Sequence, residues 1–111
     1  LFLFPKVYSE EYRCKIEYYS NGEKVDSPSN FVLKRVGNRF KEIYKGEISY
    51  HKIVIENETF ITLIQTFDSY PALFAIFIDK AANEHYSNYL SMSMDKKVSP
   101  VGSHGKCEVF L

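Results

Sequence analysis

Few residues in this chain are able to do chemistry, and they stand far apart. Cys14 lies in EEYRCKIEYY and Cys107 in GSHGKCEVFL, with no cysteine between them. A CxxC redox pair needs neighbouring thiols and a structural zinc site needs four gathered ligands, so neither chemistry fits. What remains is one structural disulfide, Cys14–Cys107, formed in an oxidising compartment. The alternative is two buried free thiols in a reducing one, since cysteine also packs as a small apolar side chain. A bridge would close nearly the whole chain into a loop, worth about 4–5 kcal/mol in the chain-entropy account. It would also make the first and last main strands neighbours, because the two Cα atoms must lie within about 7 Å.

The histidines are His51, His85 and His104, without HxH or HExxH spacing. No metal and no cofactor is therefore expected. His104 stands close before Cys107, but an imidazole activates a thiol only if that thiol is free. Carboxylates come singly or in turns, as with Glu56 and Glu58 around Asn57. Asn57-Glu58-Thr59 has the form of a glycosylation sequon and reads as a turn, for which asparagine is well suited. GxSxG, a P-loop and paired-glycine phosphate cradles are missing. The expectation is a protein that is not an enzyme, with no catalytic residues to name.

The elements that position these residues have a period of two. In EYRCKIEYY, Tyr12, Cys14, Ile16 and Tyr18 share one parity, and Arg13, Lys15 and Glu17 the other. Asn21-Gly22 marks a turn, and residues 24–30, with Pro28, read as a polar connection. FVLKRV (31–36), Gly37-Asn38 and RFKEIYK (39–45) make a hairpin. EISYHKIVIE (47–56), TFITLIQTF (59–67), ALFAIFID (72–79) and HYSNYLSMSM (85–94) follow as strands. Residues 95–104 read as a long connection, with GSHG (102–105) as a flexible turn before GKCEVFL (105–111). His51 then sits mid-strand, and His85 and His104 sit in loops.

Strands on short links form an antiparallel meander. With its ends joined by a disulfide, the expected fold is all-β: about eight strands closed into a small barrel or rolled sheet. Closure removes exposed edges. A two-sheet β-sandwich is the alternative. The 111 residues fit one domain, and a 45% hydrophobic composition with nine Tyr and nine Phe supplies a core. LFLFPKVYS (1–9) resembles the end of a secretory signal peptide, which leaves 10–111 as the single all-β domain. A periplasmic or secreted protein is expected, with no membrane association after signal removal.

Lys plus Arg equals Asp plus Glu at 14 each, which argues against an electrostatic nucleic-acid binder. The charge is uneven, however. Residues 34–52 hold Lys34, Arg35, Arg39, Lys41, Lys45 and Lys52 against Glu42 and Glu47. If Phe31, Leu33, Phe40 and Tyr44 face inward, Lys34, Lys41 and Lys45 share an outer basic face suited to a protein partner with an acidic surface. ALFAIFI (72–78) is apolar at both parities, so a cover is expected over Phe74, Ile76 and Ile78, or over Leu73, Ala75 and Phe77. A loop, a second sheet or a homodimer would supply it.

An early aromatic-x-Cys strand (Tyr12, Cys14), the Phe77-Ile78-Asp79 strand and the terminal Gly105-Lys106-Cys107 resemble small exported proteins of gammaproteobacteria that carry no assigned activity. The resemblance covers most of residues 11–110 and implies a fold and an address, not a site. A looser likeness is to periplasmic lysozyme inhibitors, small β-barrels with a cysteine near each end. The chain departs from them in having no Trp and no Ser-Gly-x-x-Tyr loop, so no inhibitory residue carries over. Together these features predict a non-catalytic binding module, an inhibitor or immunity protein for a periplasmic enzyme or toxin. The alternative is a carrier of a small hydrophobic ligand in the barrel interior.

Overall fold

The computed structural model describes residues 10–92 and 98–111. Eight antiparallel strands form β1 (Glu11–Tyr19), β2 (Lys24–Val36), β3 (Arg39–Tyr44), β4 (Glu47–Glu56), β5 (Phe60–Thr66), β6 (Ala72–Asp79), β7 (Glu84–Met92) and β8 (Val98–Phe110). Each strand pairs with the next, and β8 returns to pair with β1, so the sheet closes into a barrel. The sandwich alternative does not form. Cys14 stands directly opposite Cys107 across the β1–β8 seam, and the two are joined as a disulfide with Cα atoms 4.0 Å apart. The signal-peptide expectation for residues 1–9 lies outside the described residues.

Two strands run longer than their sequences suggest. Lys24–Asn30 belongs to β2 and Val98–His104 to β8, although each stretch carries a proline. Pro28 falls where the β1–β2 register jumps, between Ile16↔Ser29 and Tyr18↔Lys24. Pro100 lies opposite Leu90 of β7, beyond the end of the pairing with β1. A proline is tolerated in a sheet where its missing N–H has no ladder partner to serve. GSHG is therefore part of β8 and not a turn, and His85 and His104 are strand residues and not loop residues.

The seam carries a bulge. Cys14 pairs with Cys107, but the next matched pair is Tyr18↔His104. One extra β1 residue disturbs the ladder and flips the parity beyond it. Tyr18 is thus thrown outward, against the parity it shares in sequence with Tyr12, Cys14 and Ile16. There its ring stacks on His104 at 5.2 Å, and His104 stacks on Tyr86 at 5.5 Å. Two side chains serve backbone groups at the bulge. His85 Nε2 donates to the Lys15 carbonyl (2.7 Å), and Glu17 accepts the Lys106 N–H (2.8 Å). A Cβ on Gly105 would come within 1.9 Å of the Lys15 carbonyl oxygen, so only glycine fits this approach.

The barrel interior divides into two halves. In one, Tyr12, Leu33, Phe40, Ile61 and Ile78 are buried together beside the disulfide. Charged groups fasten the same end. Arg35 donates to Glu10 (2.6 Å) and to Glu56, and Lys80 Nζ lies 3.9 Å from Glu56. Tyr12 donates its hydroxyl to Glu10. Burial alone would raise the Glu10 carboxyl, but hydrogen bonds from Tyr12 and Arg35 outweigh it and hold the group below its usual range. Burial, with that carboxylate as acceptor, raises the Tyr12 phenol. This half is sealed. In the other half the same inward parity carries Glu42, Ser49, Gln65, Ser87 and Ser103, and there the packing opens.

Candidate functional site

The open half holds a cavity of about 490 Å³. Phe31, Tyr44, Phe67, Phe74 and Tyr89 supply its aromatic wall, and Glu42, Ser49, Gln65, Ser87 and Ser103 its polar groups. Exposed Glu47 and Ile48, just after the β3–β4 turn, stand at the mouth. That turn is tight, with Lys45 at φ 50° and Gly46 at φ 78°. The aromatic wall is braced from the β5–β6 connection. Phe67 stacks on Tyr70 at 5.1 Å and meets Tyr89 edge-on at 6.0 Å, and Tyr89 packs against Phe74 at 6.4 Å. An eight-stranded barrel has room for one small ligand when its side chains do not fill it. A concave aromatic site with a few placed polar groups is the usual form of a small-molecule pocket.

Two buried histidines back this cavity, and each has a partner. His51 Nε2 lies 2.6 Å from Glu42 Oε1, and Ser49 donates its hydroxyl to the same oxygen at 3.3 Å. His51 Nδ1 is buried and without a partner among the described residues. His85 donates from Nε2 to the Lys15 carbonyl and accepts at Nδ1 from Ser87 Oγ (3.1 Å). Burial lowers the His85 imidazole below its ordinary value, and the bond to Lys15 offsets only part of that. His85 repairs the bulge, and His51 holds Glu42 in the cavity wall.

The structure redistributes the residues expected from sequence to bind partners. Phe74, Ile76 and Ile78 point inward. Ile76 and Ile78 are 0% and 1% exposed, and Phe74 lines the cavity, so none of the three forms an outer interface. The inner parity of β6 is the barrel core, and the outer parity falls to Leu73, Ala75 and Phe77, of which Phe77 is 42% exposed. Lys34 and Lys41 do share the outer face of the β2–β3 hairpin, directly opposite one another. Lys45 leaves that face. It sits in the β3–β4 turn, with its ammonium 5.2 Å from the Tyr44 ring centroid. Arg39 and Lys52, paired across β3–β4, take its place beside Lys41. Lys34 also meets Glu11 at 3.4 Å. Cys107 is bridged to Cys14, so no thiolate is present for His104 to activate.

Glu42, Ser49, Gln65 and Ser87 are not among the residues singled out from sequence. A signal for them exists. Each shares inward parity with core residues of its own strand: Glu42 with Phe40, Ser49 with His51, Gln65 with Leu63, Ser87 with His85. A polar residue repeated at the core parity of successive strands marks an unfilled interior. No protein-family model, no curated protein and no solved structure matches the chain.

Proposed function

We propose that the domain is a non-catalytic binding module that takes a small organic molecule into the open half of its barrel. The carrying observation is the change of character along the inward parity, apolar and packed at one end, aromatic and polar around a cavity at the other. A barrel built for stability alone gains nothing from buried polar groups without apolar neighbours to replace them. The Cys14–Cys107 bridge supports export to the periplasm or the exterior, since such bonds persist in oxidising compartments. Among the described residues no helix is long and apolar enough to cross a membrane. Titration with the neutral dye N-phenyl-1-naphthylamine tests the proposal. A fluorescence rise saturating at one dye per chain, abolished by the cavity-filling Gln65→Trp, is expected. Absence of both the rise and a one-to-one adduct in native mass spectrometry overturns it.

One observation favours a second reading, an inhibitor or immunity module for an acidic partner. Lys34 faces Lys41 and Arg39 faces Lys52, so two like-charged pairs adjoin on the outer hairpin face. Opposed like charges cost stability, which a partner of opposite charge would recover. Immobilised poly-L-glutamate tests this. Salt-sensitive binding lost in Lys41→Glu/Lys52→Glu supports it, and binding unchanged by the reversal removes it.

A further inference from the structure

The cavity's charge goes further than its shape, and the inference drawn from it rests on the small-molecule proposal above. Glu42 and Glu47 both line the space, and no lysine or arginine does among the described residues. Lys45, in the β3–β4 turn, is placed over Tyr44. The two groups that hold Glu42, His51 and Ser49, both donate to Oε1, and Oε2 has no donor among the described residues. Burial holds the His85 imidazole below its ordinary value, which disfavours positive charge there. Phe31, Phe74 and Tyr89 line the same space. Aromatic rings attract cations through their quadrupoles, most strongly where water is excluded. A carboxylate that shares a cavity with such rings is a receptor for positive charge on an apolar body.

We infer that the cavity takes an organic cation, a molecule with a protonated or quaternary amine carried on an apolar body, with the ammonium meeting Glu42 Oε2 and the body against Phe74 and Tyr89. An anionic amphiphile is disfavoured, because it would bring a second negative charge beside Glu42 and Glu47.

A matched pair of fluorescent probes tests this directly: dansylcadaverine, whose free amine is protonated near neutral pH, and its N-acetylated form, which is neutral and otherwise the same. The expected result is about tenfold tighter binding of the amine, the size of one charge-assisted contact in a partly buried site. Glu42→Gln is expected to bring the two affinities within about twofold of each other. Equal affinities for the wild-type protein overturn the cation assignment while the cavity proposal stands on N-phenyl-1-naphthylamine. Failure of all three probes overturns both. Should Glu42→Gln not fold, the wild-type ratio still decides, and Glu47→Gln, exposed at the mouth, is expected to reduce it by a smaller factor.

Discussion

The two halves of this barrel use the same strands for opposite purposes. Around Tyr12, Leu33, Phe40 and Ile61 the interior is packed, bridged by a disulfide and tied off by Arg35 between Glu10 and Glu56. A few residues further along β3, β4, β5 and β7 the inward positions become Glu42, Ser49, Gln65 and Ser87, and the packing gives way to a cavity. The difference teaches that closure of the sheet and filling of its interior are separate problems. Closure gives every strand a hydrogen-bonded neighbour on both edges. Side-chain volume decides where a ligand fits. The sealed half supplies the stability that lets the open half remain underpacked.

The largest loss is expected at the seam. Replacing both cysteines by alanine is expected to cost about 4–5 kcal/mol, since the bridge constrains residues 93 apart in sequence. Urea unfolding with and without the substitution measures it; a loss under about 1 kcal/mol would mean that the ladder alone closes the barrel. Phe40→Ala, fully buried in the sealed half, is expected to cost about 3–5 kcal/mol. Phe74→Ala, at the cavity, should cost clearly less while weakening dye binding, because its space already adjoins a void. Equal losses at the two sites would erase the distinction between the halves. Gly105→Ala should cost about 1–3 kcal/mol or more, because the new methyl meets the Lys15 carbonyl instead of a yielding side chain.

Smaller, and specific to the bulge, is a pH effect. His85 has a lowered pKa in the fold, so the unfolded chain takes up a proton that the native state refuses. Stability is therefore lost as pH falls below 6.5, the ordinary imidazole value, toward the folded one. Glu10 and Glu11 have lowered values too, and their contribution disappears only below 4.5. Urea midpoints should decline between about pH 7 and pH 5, and His85→Asn should flatten that decline. An unchanged slope in the variant would place the proton uptake elsewhere.

Much of the architecture is legible in the sequence because strand parity and the Asn21-Gly22 and Gly37-Asn38 turns are local signals, and the two cysteines leave one pairing. Tyr12, Cys14, Leu33 and Phe40 face inward as their alternation predicts. Tyr18 does not, because a bulge resets parity without changing residue type. Val98–His104 reads as a loop because proline and glycine usually interrupt strands, whereas here Pro100 lies beyond the β1 pairing and Gly105 admits a neighbouring backbone. The candidate site is less legible. Alternation says that Glu42 and Gln65 share a face with Phe40 and Leu63. It does not say that they lie at the same height in a closed ring, which depends on register across every strand pair.

The central claim is that a ligand enters one half of the barrel and not the other. Amide chemical-shift mapping during titration with N-phenyl-1-naphthylamine tests it most directly. The predicted result is a set of shifts confined to Glu42, Ser49, Gln65, Phe74, Ser87 and Tyr89, with Tyr12, Leu33 and Ile61 unmoved. Shifts centred on Phe60, Phe77 and Tyr86 of the outer surface, or spread equally over both halves, would contradict it.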